Sequence, residues 1–145
     1  MRLALAILLA VLGVSAIAIA GSILILGAGA TAASGEAVFA ALTGYGGPPS
    51  PAWPPSMDSE LRFYAALWGA YGIVLVMMAR RLDLHLARVP WLAAVFFAGG
   101  VGRLVSQVEV GAPHPFFTLL MAIELATPPI LILLWLGCRG RAASH

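Results

Sequence analysis

At 145 residues the chain suits one compact domain, and its composition, 61% hydrophobic and 10% charged, departs from the roughly 25% charged residues of ordinary globular domains. A water-soluble domain this small cannot hide so much apolar surface, and with a mean hydropathy of +0.98 the solvent left for it is the bilayer. The formal net charge is +2 and all 8 basic residues are arginines, scattered without a basic stripe interleaved by aromatics, which excludes nucleic acid as a partner.

The first apolar stretch runs over 3–30. It opens at Arg2 and closes near Ala30-Thr31-Ala32-Ala33-Ser34, as a secretory signal would. A signal's apolar region is about 7–15 residues, however, and this one is nearly twice as long. With Met1 in front of it, the segment is expected to be retained as a long spanning helix.

Residues 31–58 form the longest connection. Its first half, Glu36 to Leu42, predicts a short helix with Ser34 as cap. Its second half, Gly44-Tyr45-Gly46-Gly47-Pro48-Pro49-Ser50-Pro51-Ala52-Trp53-Pro54-Pro55, has too many prolines for helix or strand. Tyr45 and Trp53 suit the headgroup region. The expectation is an interfacial loop resting on the bundle, with a lid over an outer cavity as the sharper alternative.

The second span, 59–79, opens with Asp58-Ser59-Glu60-Leu61-Arg62-Phe63-Tyr64. Asp58 is the expected cap and Glu60 complements the helix dipole. Glu60 and Arg62 point to nearly opposite sides, so they do not pair with each other. The third span, 89–110, carries Gly99-Gly100-Val101-Gly102-Arg103. Ala94, Ala98 and Gly102 recur every fourth residue, a small-residue seam that lets another helix approach closely. Arg103 sits about 10 Å inside the outer boundary, with Ser106 and Gln107 on the same face and Glu109 near the end. The tight turn Gly111-Ala112-Pro113-His114-Pro115 leads into the fourth span, 113–137, which holds Glu124 near its middle and Pro128-Pro129 beyond it. These prolines withhold the N–H groups that the carbonyls of Glu124 and Leu125 would accept, so a kink is expected.

A charge within a span costs roughly 2.5–3.5 kcal/mol on insertion scales, so it demands a partner. The economical arrangement pairs Arg103 with Glu124, with Arg62 or Glu60 joining from the second span. Arg2, Arg80, Arg81, Arg88, Arg139 and Arg141 all fall on one side of four alternating spans, and Glu36 and Asp58 fall on the other. Arginine-rich connections stay in the cytoplasm, so both termini are placed there and the long connection outside. The only cysteine, Cys138, lies past the last apolar run and permits neither a disulfide nor a cysteine metal site. His85 belongs to the inner loop and His145 to the tail. No histidine lies within a span, which argues against haem or chlorophyll ligation, and a single turn histidine is a weak metal signal. No internal repeat, nucleophile elbow or phosphate loop occurs.

Glu60-Leu61-Arg62-Phe63-Tyr64, Gly99-Gly100-Val101-Gly102-Arg103, the Gly111/Pro113-His114 turn, and Glu124 followed by Pro128-Pro129 together resemble a functionally uncharacterised family of small bacterial four-helix integral membrane proteins. The likeness covers the last three spans. It implies the four-helix fold, the bacterial inner membrane, and one outer-facing cluster of Glu60, Arg62, Arg103, His114 and Glu124.

The reading is therefore all-α: a single-domain, antiparallel four-helix transmembrane bundle with both termini cytoplasmic. The function expected is that of an accessory or binding protein, packing with a membrane partner or holding a lipophilic ligand. The polar outer cluster for that task is Glu60, Arg62, Arg103, Gln107, Glu109, His114 and Glu124, with no cofactor and no metal. The alternative is a small membrane enzyme or transporter acting on a lipid-like or small polar substrate, with Glu124 or His114 handling protons and Arg103 holding an anion. A channel is disfavoured because the inner halves of the spans are nearly free of polar residues.

Overall fold

The twenty-five residues Arg2–Leu26 contain no proline and form one helix, α1, in the computed structural model, which describes residues 1–140. Arg141 and His145, assigned above to the inner side and the tail, lie outside the described residues. The apolar run does not continue as one helix to residue 30. Gly27 takes φ +93°, a left-handed conformation that costs an L side chain but not glycine. Its N–H closes α1 on the Ile23 carbonyl, and its own carbonyl accepts the Thr31 N–H to open α2, Ala28–Thr43.

The long connection is therefore helical over much of its first half, well beyond the short segment expected. Ser34 is inside α2, its hydroxyl bonded back to the Ala30 carbonyl at 2.9 Å, and caps nothing. Gly44, left-handed at φ 73°, ends α2. The proline-rich strap 45–54 follows without regular structure. Helix α3, Pro55–Arg80, starts after an extended Pro54 with Pro55 in its first turn.

Asp58 does not cap its own helix. Its Oδ1 accepts the Ala28 N–H at 2.8 Å, so it caps α2 from the facing helix. Its Oδ2 accepts Arg62 Nε at 2.8 Å, and Arg62 Nη1 reaches the Leu24 carbonyl at the end of α1. One acid and one base thus satisfy a free donor of α2 and a free acceptor of α1 at the Gly27 break. Short α4 (Leu82–His85) and a 3-10 turn (Leu86–Arg88) lead to α5, Val89–Val110; α6 is Pro115–Gly140. Pro128 and Pro129 lie within α6, which is helical on both sides of them.

All described elements are helical, and four stretches, Arg2–Leu26, Pro55–Arg80, Leu82–Val110 and Pro115–Arg139, are long and apolar enough to cross a membrane. Helix α1 runs antiparallel along α3, and α5 antiparallel along α6; α1 also touches α6. The first pair meets backbone to backbone. A Cβ on Gly72 would lie 2.7 Å from the Gly13 carbonyl oxygen, and one on Gly13 would lie 2.7 Å from that of Gly72. Between α3 and α5 the contact is aromatic: Trp68 stacks on Phe96 at 5.8 Å and on Tyr71 at 5.3 Å, and the Tyr71 hydroxyl donates to the Leu92 carbonyl at 2.7 Å.

The seam expected on α5 is not where helices meet. Its buried positions are Val89, Ala93, Phe96 and Gly100, while Ala94, Ala98 and Gly102 face outward. The two rows differ in helical phase, and the one holding Phe96 supplies the larger apolar contact, with Gly100 admitting Leu125 of α6. The larger fully buried side chains, Leu5, Leu9, Leu75, Met78, Val89, Leu131 and Cys138, gather toward the arginine-bearing end. Cys138 is thus a core residue of α6 rather than a residue beyond the span. An Arg2–Asp83 pair, exposed on both sides, ties α1 to α4 at this end. The opposite end is closed by α2 and the strap. Much of the outer surface is apolar, with Leu3, Ile25, Leu42, Trp91 and Val110 all widely exposed.

Candidate ligand-binding site

At the strap end lies a cavity of about 720 Å³, within the size range of ligand pockets. Tyr45, Pro48, Pro49, Ser50, Pro51 and Trp53 of the strap wall one side of it. The strap is therefore more than a loop resting on the bundle: it covers a pocket. Proline explains how it keeps this extended course, since each ring fixes φ and removes a backbone donor that would otherwise need a partner.

The strap is anchored by Glu36, a residue the sequence reading left outside the candidate set. Its carboxylate is buried, with 5% of the residue exposed. It accepts the Ser50 N–H at 3.0 Å and the Ser50 hydroxyl through a short bond. Burial pushes the Glu36 carboxyl up, but the two Ser50 bonds and the attraction of His114 outweigh it and leave it below its ordinary value. The stability this anchor contributes is therefore complete above the ordinary carboxylate value of 4.5 and is lost as pH falls through the depressed folded value. Glu36→Ala leaves both Ser50 donors without their acceptor, at a cost of about 1–3 kcal/mol for each. Hydrogen-exchange protection of the Ser50 amide, taken against the intrinsic rate at each pH, should fall at least tenfold in the variant, and in the wild type on acidification through the carboxylate range. Unchanged protection in both would show that the strap is held by its aromatic contacts.

Those contacts centre on His114. Its ring meets Tyr45 edge to face at 5.0 Å and Phe39 of α2 at 6.0 Å, and its Nδ1 accepts the Phe116 N–H at 3.2 Å. In the neutral ring Nδ1 is thereby the acceptor and Nε2 the donor. Trp53 lies 6.4 Å from Phe117, joining the far end of the strap to α6.

The polar wall comes from α5. Arg103 Nε donates to Glu124 Oε2 at 2.8 Å across the α5–α6 contact. Glu124 is the more enclosed partner, its side chain 13% exposed against 41% for Arg103. Arg103, Ser106 and Gln107 line the pocket; Glu124 stands behind Arg103 and does not. The lining also includes apolar side chains: Met57 and Leu61 from α3, Val110 from α5, Phe117 and Met121 from α6.

The expected outer cluster is thus divided. Arg103, Gln107 and His114 share the pocket, with Glu124 paired to the first. Arg62 is engaged with Asp58 and Leu24 at the Gly27 break, and joins neither Arg103 nor Glu124. Glu60 and Glu109 are exposed and outside the pocket lining. The reason is helical phase: Arg62 is four residues from Asp58, on the face toward α1. Glu36 was missed because its partner lies 14 residues away in an irregular segment, where no periodicity links them.

The fold and this pocket define a helical protein with four span-length apolar helices and a strap-covered cavity at one end. The chain belongs to the family described as Domain of unknown function (DUF4345), which matches residues 4–136 and so takes in the first helix as well as the last three spans. No curated protein and no solved structure matches it.

Proposed function

We propose that this is an integral membrane binding protein that holds a lipophilic ligand in the strap-covered pocket. The observation that carries the reading is the mixed lining: Arg103, Ser106, Gln107 and His114 beside the apolar Met57, Leu61, Val110, Phe117 and Met121. Such a site suits a molecule with a polar head and an apolar body. The four span-length helices and their exposed apolar surface support placement in the bilayer. Arg2, Arg80, Arg81, Arg88 and Arg139 lie on the connections and ends at the side opposite the strap, which supports cytoplasmic termini and an outer-side pocket in a plasma membrane.

The alternative of proton chemistry at Glu124 gains no support, because its carboxylate faces Arg103 rather than the cavity. A specific observation favours a second use beside ligand binding. The Ala94, Ala98 and Gly102 row on α5 is left open, and small residues let a helix of a membrane partner approach closely.

Native mass spectrometry of protein extracted gently from its own membrane tests both. A discrete added mass of one amphiphile, reduced in Arg103→Gln, is the expected result. A co-purifying protein with no bound small molecule would transfer the assignment to the accessory role. Bare protein from every gentle extraction would remove the ligand reading.

A further inference from the structure

We propose that the polar head taken by this pocket is an oxyanion, a phosphate or carboxylate, bound by the free edge of Arg103. The inference rests on the ligand-binding reading above and adds the chemistry of the head group. A guanidinium presents five N–H donors in a planar fork. Here only Nε is engaged, by Glu124, and among the described residues Nη1 and Nη2 have no protein partner. Their edge matches the spacing of two oxygens of a carboxylate or phosphate.

What surrounds that edge has the same bias. Among the described residues no Asp or Glu lines the cavity, and Arg103 is its one charged member. Glu124 occupies the Nε side, fixing the guanidinium while leaving the other edge free. Glu60 and Glu109 stand outside the lining. His114, with Nδ1 already accepting from Phe116, offers Nε2–H as a further donor, and the Ser106 hydroxyl is uncommitted among the described residues. A carboxylate or phosphate needs this combination of donors, and a neutral ester or alcohol head would leave most of them unused. The apolar lining residues, Leu61, Phe117 and Met121 among them, then take the chain.

The test is binding to the full-length protein in a neutral maltoside detergent, using four probes: oleate, lysophosphatidic acid, monoolein and inorganic phosphate. Oleate and lysophosphatidic acid should bind at least about tenfold more tightly than monoolein, the discrimination that charge-assisted hydrogen bonds supply. Arg103→Gln should erase that preference, and Arg103→Lys should restore part of it. Because Arg103→Gln also breaks an ion pair, Glu124→Gln is the needed companion. It breaks the same pair but keeps the cation, and should retain or strengthen anion binding. Loss in both variants alike would overturn the proposal, as would monoolein binding as tightly as oleate; in the latter case the pocket reading survives. Phosphate binding as tightly as lysophosphatidic acid would keep the oxyanion and overturn the lipophilic reading. No binding of any probe would overturn both.

Discussion

Gly72→Leu should separate α1 from α3 and strongly destabilise the protein. The neighbour that its side chain would meet is the Gly13 carbonyl oxygen, 2.7 Å from the first added carbon. A backbone atom cannot rotate away as a side chain can, so the helices must move apart and the contacts of Ala16, Ala20 and Ala65 loosen with them. Overpacking in a fitted interior costs typically about 1–3 kcal/mol, and a backbone obstacle puts this case at the upper end or above. In the membrane placement proposed above, close packing is a principal force between helices, and little else compensates. Gly102→Leu is the control. A Cβ there meets nothing within 4 Å, so the variant should unfold with the wild type. The measurement is unfolding of detergent-solubilised protein by increasing SDS fraction, followed by helical circular dichroism. A stable Gly72→Leu together with an unstable Gly102→Leu would mean that the tight seam is on α5 after all.

The Arg103–Glu124 pair should show as a coupling in a double-mutant cycle. Breaking a buried pair by removing one partner costs about 3–5 kcal/mol, whereas a surface pair contributes about 0–1 kcal/mol. With Glu124 at 13% exposure and Arg103 at 41%, Arg103→Met should fall between these limits, at about 2 kcal/mol. The loss arises because Glu124 would stay enclosed on α6 without its donor. Adding Glu124→Gln removes the stranded charge, so the double variant should recover part of the loss. The expected coupling is of order 1 kcal/mol. Strictly additive losses would mean that the two side chains act independently. The ligand experiment separates this role from recognition, since Glu124→Gln is predicted to weaken the fold while sparing anion binding.

Composition and span length were sufficient to predict four long apolar helices, because a stretch of about twenty apolar residues has few other stable destinations. The Arg103–Glu124 pairing was also legible, because a charge in an apolar span needs an opposite charge and few were on offer. Helical phase was harder. Ala94, Ala98 and Gly102 have the spacing of a seam, but spacing on one helix cannot say which of its faces a neighbour will occupy. That was decided by Phe96 against Trp68 and by Gly100 against Leu125. The close crossing at Gly13 and Gly72 depends in the same way on the relative register of two helices.

The junction and the strap lay further from the sequence. Asp58 looks like the cap of its own helix, and becomes the cap of α2 only because α1 and α3 lie side by side. Glu36 and Ser50 meet because α2 turns the chain back beneath the strap, a path set by Gly27 and Gly44 and then fixed by aromatic contacts around His114. The sequence by itself determined the four span-length helices, their apolar character and the need to pair an internal charge, since these follow from local propensity and solvation. The tertiary structure alone decided which small residues touch, which acid caps which helix, and that a proline-rich segment covers a pocket. Those outcomes depend on distances between residues far apart in the chain, which no local pattern encodes.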